Sequence, residues 1–213
     1  MTKETGYDAS MSQRLHTCLW VLALCACVFS TASGQQIERG NLLVATPALA
    51  DTTFSETVLL VIHHDEDGSI AIMINRPTNL APARVFPEIG TSSDYDGPLY
   101  FGGPVSTTRA FVLSRNAEPI DGSSIRIVGD VHLSGDFSVL ALLTKEQLSS
   151  ASVRVYAGHA QWGPAQLQAE IAAGAWTVVP GQAARIFSAE PLALWQRLVV
   201  TPGDRQIAQL QTH

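Results

Sequence analysis

The chain has 213 residues, of which 46% are hydrophobic and 15% are charged, and its formal net charge is −6. This composition predicts a globular domain with an apolar core and excludes extensive disorder. The acidic balance also argues against binding to nucleic acid, whose phosphates require clustered lysine and arginine side chains.

The N-terminal 34 residues differ from the rest of the chain. A short basic segment at residues 11–14 precedes an apolar run at residues 19–29 and small residues at 30–34. This order predicts a secretory leader at residues 1–34, one domain at residues 35–200 and a C-terminal tail at residues 201–213. Export to the periplasm or envelope is then expected, whereas a mis-assigned start codon would leave the protein in the cytoplasm. A membrane contact is expected only through a leader that is retained or lipidated.

The three cysteines, Cys18, Cys25 and Cys27, all lie in the predicted leader. The predicted domain therefore has no thiol for a disulfide, a catalytic nucleophile or a cysteine-based metal site.

The centre of the domain is predicted at a β-hairpin. Apolar runs at residues 58–62 and 70–74 flank a polar turn that ends in Asp67 and Gly68, a pair typical of tight turns. Because both runs are continuously apolar and rich in valine and isoleucine, we expect strands covered on both faces. A preceding strand at residues 41–46 is predicted to end at Pro47, which cannot donate a ladder hydrogen bond.

The rest of the domain alternates irregularly between short helices and strands. Helices are predicted at residues 80–89, 136–144, 164–173 and 191–200. Further strands are predicted at residues 110–113, 124–127, 153–157, 175–179 and 185–187, and a surface loop at residues 90–97. One clear hairpin among irregular elements favours a single α+β domain with a mixed sheet over a doubly wound parallel sheet.

Several motifs occur in a characteristic order along the domain. They are LLVATPAL at residues 42–49, Asp51-x-x-Phe54, Gly68 followed by Asn75-Arg76-Pro77, Phe101-Gly102-Gly103-Pro104, GHAQWGPAQLQAEI at residues 158–171, and Gly174-Ala175-Trp176. With these motifs the chain resembles the YqgE/AlgH family, bacterial proteins of unsettled function. The resemblance implies a bifurcated, barrel-like mixed sheet flanked by helices.

The resemblance also implies two properties with which this chain conflicts. The family carries a label as a transcriptional regulator, but no helix-turn-helix pattern is evident here and the net charge has the wrong sign for DNA. The usual cytoplasmic location of the family conflicts with the predicted leader.

A turn rich in metal-ligating side chains contains His63, His64, Asp65 and Asp67. Adjacent residues of a strand point to opposite faces, so at most one histidine can join the carboxylates. We therefore expect a solvated turn without a metal ion.

Paired glycines form a second candidate site. Gly102 and Gly103, with hydroxyl side chains at residues 106–108 and the guanidinium of Arg109, could cradle an anion. The alternative is a tight structural turn, because no lysine followed by serine or threonine stands at phosphate-loop spacing.

The third candidate is the corner at Asn75 and Arg76, placed beside His159 and Trp162 at a predicted strand-to-helix junction. A histidine and a tryptophan could line a pocket there. Equally, Trp162 could fill space under the helix at residues 164–173, and Asn75 could tie loop backbone together.

From these residues we predict a non-catalytic binding or accessory protein that holds an unidentified small ligand or partner chain, without a cofactor or a metal. The predicted binding residues are Asn75, Arg76, Gly102, Gly103, Arg109, His159 and Trp162. The alternatives are a hydrolase that uses His159 with Ser106 or a bound metal, and a transcriptional regulator.

Overall fold

The computed structural model of the protein describes residues 36–89, 95, 97–120, 122–142 and 148–199. The predicted leader at residues 1–34, the predicted tail and most of the loop predicted at residues 90–97 lie outside these residues. The described residues belong to one compact unit.

The described residues contain nine strands in one sheet. The strands are β1 Leu42–Ala45, β2 Val58–Asp65, β3 Gly68–Met73, β4 Leu99–Phe101, β5 Val105–Arg115, β6 Ile125–Val128, β7 Val131–Ser134, β8 Val153–Trp162 and β9 Trp176–Val179. Their order is β6-β7-β5-β8-β3-β2-β1-β9, with β4 paired to β8 off this path. All pairs are antiparallel except β4 with β8, which is parallel, so the sheet is mixed as predicted.

The sheet divides at β8. Residues 155–157 of this strand pair with both β5 and β4, so these two strands lie on its opposite edges. Farther along, residues 160–162 pair with β3. This branch confirms the bifurcated sheet and the single α+β domain.

The two ends of the sheet, β6 and β9, approach each other without pairing. A Cβ atom on Gly181, after β9, would lie 1.9 Å from the carbonyl oxygen of Gly40, and one on Gly40 would lie 2.9 Å from that of Ile127 in β6. The sheet is therefore barrel-like but is not closed by a ladder of hydrogen bonds.

The central hairpin has the predicted burial on both faces. Leu60 and Ile72 are fully buried in one apolar cluster, and Leu59 and Met73 are fully buried in another. Gly68 has φ +146° and begins β3, which confirms the predicted turn. Burial on both faces explains why the runs are continuously apolar rather than alternating.

The helices are shorter than predicted. They are α1 Pro82–Val85, α2 Ser138–Ala141, α3 Gln166–Ala172, α4 Ala183–Ile186 and α5 Leu194–Leu198, with short 3-10 turns at Pro47–Leu49, Pro87–Ile89 and Pro191–Ala193. The helix predicted at residues 80–89 is interrupted at Phe86, where φ is −123°, because the following Pro87 disfavours helical backbone before it. None of the described helices has the length and apolar character needed to cross a membrane.

Several elements differ from the predictions. Residues 185–187 are not a strand but close α4, where the amide of Phe187 donates to the carbonyl of Ala183 at 2.8 Å. The strand β7 was missed, although Gly129-Asp130 between β6 and β7 is a typical two-residue hairpin loop. The strand predicted at residues 153–157 continues to Trp162, so His159 and Trp162 lie in a strand and not at a strand-to-helix junction.

Candidate functional site

Asn75 fixes the chain at the end of β3. Its side chain is buried; Oδ1 accepts a hydrogen bond from the amide of Val58 at 2.9 Å, and Nδ2 donates to the carbonyl of Glu56 at 2.9 Å. Both partners belong to the segment that enters β2. Asn75 therefore ties the two ends of the central hairpin together and sets the backbone position of Glu56.

Arg76 is a half-buried cation beside this tie. Its Nη2 donates to the carbonyl of Ser55 and to Oγ1 of Thr57, the latter at 3.1 Å. In the described part of the chain, neither Nε nor Nη1 has a hydrogen-bond partner, and no carboxylate forms an ion pair with Arg76. Three N–H donors, one on Nε and two on Nη1, are therefore available to a ligand.

An open cleft of about 440 Å³ lies at this corner. It is bounded by the loop before β2, the end of β4 and the 3-10 turn Pro191–Ala193, and its lining residues are Thr52, Thr53, Ser55, Glu56, Asn75, Arg76, Phe101 and Leu192. The cleft volume falls in the range of small-molecule sites, about 300–1,000 Å³. The lining combines both signs of charge, hydroxyl groups and two apolar side chains.

Gly102 and Gly103 form a close crossing with β8. A Cβ atom on Gly102 would lie 2.3 Å from the carbonyl oxygen of Gly158, and one on Gly103 would lie 2.2 Å from the carbonyl carbon of His159. The amide of Gly102 donates to the carbonyl of Ala157 at 2.7 Å. These glycines bring two segments of backbone, distant in sequence, closer together than residues with a Cβ atom would allow.

Arg109 and His159 lie together, away from the cleft lining. The ring of Phe111 is edge-on to the His159 ring at 5.9 Å between centroids, and the guanidinium carbon of Arg109 lies 5.4 Å from the centre of the Phe111 ring. His159 is only 5% exposed, and its Nδ1 is buried with no hydrogen-bond partner among the described residues. Burial lowers the pKa of His159, a side-chain hydrogen bond with Gln161 raises it, and the charge of Arg109 lowers it further.

The lowered pKa of His159 predicts a loss of stability in acid. As pH falls through the ordinary histidine value of 6.5, the unfolded chain gains a proton before the folded chain does, so the free energy of unfolding decreases. We expect urea unfolding to show a larger loss between pH 7 and pH 5 for the wild type than for His159→Gln. An equal loss in both proteins would contradict this assignment.

Trp162 belongs to a third group, built around Glu170 of α3. The indole nitrogens of Trp162 and Trp176 donate to the same Oε2 at 2.9 and 2.8 Å, and Gln166 donates to Oε1 at 3.1 Å. Phe54 packs against both indole rings, with centroid distances of 6.4 and 5.5 Å. Trp162 therefore supports α3 and the loop before β2, and Glu170 is a residue that sequence analysis missed.

We expect Glu170→Ala to lower the free energy of unfolding by about 2 kcal/mol, because it leaves two indole N–H groups without their acceptor. Glu170→Gln keeps a carbonyl acceptor, so its loss should be about half as large. Glu118→Ala, at an exposed carboxylate, is the matched control and should change stability by less than about 0.5 kcal/mol. Urea denaturation followed by tryptophan fluorescence measures all three, and equal stability of Glu170→Ala and wild type would refute the role of the carboxylate.

The two histidines of the hairpin turn have different partners, and in the part of the chain that the structure describes only His63 contacts a carboxylate. Nε2 of His63 lies 2.8 Å from Oδ2 of Asp65, whereas Nδ1 of His64 lies 2.8 Å from Oγ of Ser69. Among the described residues, no group of three histidine, cysteine, aspartate or glutamate side chains is placed to hold a metal ion.

The structure thus distributes the predicted binding residues over separate places. Asn75 and Arg76 line the cleft, Gly102 and Gly103 lie in the β8 crossing, Arg109 and His159 share a patch on β5 and β8, and Trp162 contacts Glu170. Sequence analysis did not find the other cleft residues, Thr52, Thr53, Ser55, Glu56, Phe101 and Leu192. The Asp51-x-x-Phe54 motif was a signal for the loop before β2. No short-range pattern in the sequence indicated that this loop lies near Leu192.

The chain is similar in sequence to known proteins. Residues 42–205 match the sequence model of a family described as AlgH-like. A UPF0301 protein from Streptomyces avermitilis is 35% identical over 179 residues, which cover 82% of this chain and 91% of that protein. A UPF0301 protein from Chlorobaculum tepidum is 33% identical over 168 residues, covering 78% of this chain and 88% of that protein.

Two solved structures have a similar fold. The solution structure of the AlgH protein from Pseudomonas aeruginosa gives a TM-score of 0.60 at 26% identity and covers 84% of this chain and 97% of that one. A crystal structure of a Corynebacterium diphtheriae protein gives 0.62 at 24% identity, covering 84% and 98%.

Proposed function

The chain belongs to the AlgH-like family, and from this premise and its own geometry we propose that it is a binding protein that does not transform its ligand. The similar UPF0301 proteins have names that state no activity, so the proposal rests on the cleft. The observation that carries it is Arg76, a half-buried cation with three available N–H donors in a cleft of about 440 Å³.

The groups that line the cleft support binding. Hydroxyl groups, a guanidinium and a carboxylate can hold a ligand by hydrogen bonds and charge, and Phe101 and Leu192 can cover its apolar part. His159, which a hydrolase would use, is not part of the cleft lining and interacts instead with Phe111 and Gln161. We therefore assign the binding role to the corner at Asn75 and Arg76.

A fragment screen by two-dimensional NMR tests the proposal with the full chain. We expect ligands to shift the amide signals of Thr53, Ser55 and Glu56 and to bind more weakly to Leu192→Ser. The matched control is Leu142→Ser, because Leu142 is 60% exposed and does not line the cleft, whereas Leu192 is 73% exposed and does. If no fragment shifts these amides, or if both variants bind alike, the cleft is not the binding site.

We also propose that the protein is exported, on the evidence of the basic, apolar and small-residue segments at its N-terminus. N-terminal sequencing of the protein from fractionated cells is then expected to give a start close to residue 35 in the periplasmic or envelope fraction. A cytosolic protein that begins at Met1 or Met11 would refute export.

A further inference from the structure

We propose that the cleft binds a zwitterion, namely an apolar amino acid or short apolar peptide with free termini. The inference rests on the proposed function and names the chemistry of its ligand. The carboxylate of the ligand lies at Arg76, its ammonium group at Glu56, and its apolar side chain against Leu192 and Phe101.

Arg76 supplies the carboxylate site. A guanidinium presents its donors in a planar fork that matches the two oxygens of a carboxylate. One nitrogen, Nη2, holds the loop before β2, which orients the group, while Nε and Nη1 have no partner among the described residues. The side chain is thus positioned before a ligand arrives, so little conformational entropy is lost on binding.

Glu56 supplies the ammonium site. Glu56 lines the same cleft, yet no ion pair joins its carboxylate to Arg76. The backbone of Glu56 has φ +53°, in the left-handed region that non-glycine residues rarely adopt, and Asn75 holds its carbonyl oxygen. Such a strained conformation persists only where surrounding contacts impose it, and it is commonly found at binding sites.

The apolar part of the site is also held in place. Leu192 has the largest exposed fraction among the large apolar side chains in the described residues. The segment before it is braced by Arg197, which donates to Oε2 of Glu190 at 2.9 Å and to Oγ of Ser188 at 2.6 Å. A supported yet exposed leucine at the mouth of a cleft is suited to contact an apolar group of a ligand.

The presence of both charges selects among ligands. A simple anion would bind Arg76 but be repelled by Glu56, and a simple cation would meet the opposite problem. Only a molecule that carries both charges satisfies the two side chains at once. Phe101 and Leu192 favour such a molecule when it has an apolar side chain.

Isothermal titration calorimetry with the full chain tests the inference. The probes are leucine, leucyl-leucine and trileucine, together with the N-acetylated and C-amidated forms of leucyl-leucine. We expect at least one free zwitterion to bind. Each blocked form of leucyl-leucine should bind about tenfold more weakly than leucyl-leucine itself. Which of the three free molecules bind will show whether the ligand is an amino acid or a peptide.

Variants identify the contacts. Glu56→Gln should abolish the preference for the free amino terminus, so that leucyl-leucine and its N-acetylated form bind equally. Leu192→Ser should weaken the binding of every probe. The matched controls Glu66→Gln and Leu142→Ser, at exposed residues outside the cleft, should leave all affinities unchanged.

The outcomes separate the two proposals. If blocked probes or other non-zwitterionic compounds shift the amides of Thr53 and Ser55 as strongly as the free zwitterions do, the inference is wrong and the binding function stands. If neither these probes nor any fragment affects those amides, both are wrong.

Discussion

We expect Gly103→Ala to lower the free energy of unfolding by about 4 kcal/mol. The new Cβ atom would lie 2.2 Å from the carbonyl carbon of His159 and 2.4 Å from its carbonyl oxygen, so backbone must move to accommodate it. Gly103 also has φ +151°, which an alanine adopts only with strain. Overpacking of about 1–3 kcal/mol and backbone strain of about 1–3 kcal/mol at a positive φ that only glycine commonly adopts combine to this value.

Gly135→Ala is the matched control for this prediction. Apart from Gly135 and its two chain neighbours, no heavy atom of the described residues lies within 4 Å of the position that its Cβ would occupy, so the substitution should change stability by no more than about 1 kcal/mol. Urea unfolding of both variants measures the difference. A Gly103→Ala protein as stable as Gly135→Ala would mean that the backbone at Gly103 does not lie as close to β8 as described.

We expect Arg154→Ala to destabilise the protein by about 3 kcal/mol. Arg154 is 3% exposed and donates to the carbonyls of Ile186 at 3.0 Å, Ser188 at 2.5 Å and Ser150 at 3.2 Å. Its guanidinium carbon also lies 5.0 Å from the centre of the Tyr100 ring. Truncation removes the donors from two buried carbonyls and leaves a cavity beside the aromatic ring, which outweighs the relief of desolvation at the buried cation.

Two further variants make the Arg154 prediction specific. Arg154→Lys should recover less than half of the loss, because a single ammonium group cannot reproduce the planar fork that reaches separate carbonyls. Arg126→Ala, at an exposed arginine of β6, should change stability by less than about 0.5 kcal/mol. Urea midpoints measured at pH 7 give all three values, and full stability of Arg154→Lys would show that charge alone is required.

Arg154 also connects the barrel-like core to the cleft. The carbonyl of Ser188 accepts from Arg154, and the hydroxyl of the same serine accepts from Arg197, which braces the segment that carries Leu192. No short-range sequence pattern predicts this series of contacts, because the partners of Arg154 at Ile186 and Ser188 are 32 and 34 residues away in sequence.

Local patterns were sufficient where a property depends on near neighbours. The continuous apolar runs of β2 and β3 and the glycine at their turn predicted the central hairpin, its burial on both faces and the α+β class. Prediction failed for short segments such as α4, since a few apolar residues fit one turn of helix and a short strand equally well.

The motifs also predicted the family and the corner at Asn75 and Arg76, but not the cleft. Its walls come from residues 52–53, 55–56, 75–76, 101 and 192, which are distant in sequence and meet only when the sheet and the last helices pack together. The same folding placed Trp162 against Glu170 and the two paired glycines against β8. Short-range backbone preferences and side-chain periodicity set the strands and the hairpin, whereas long-range packing set which side chains face one another across an open space.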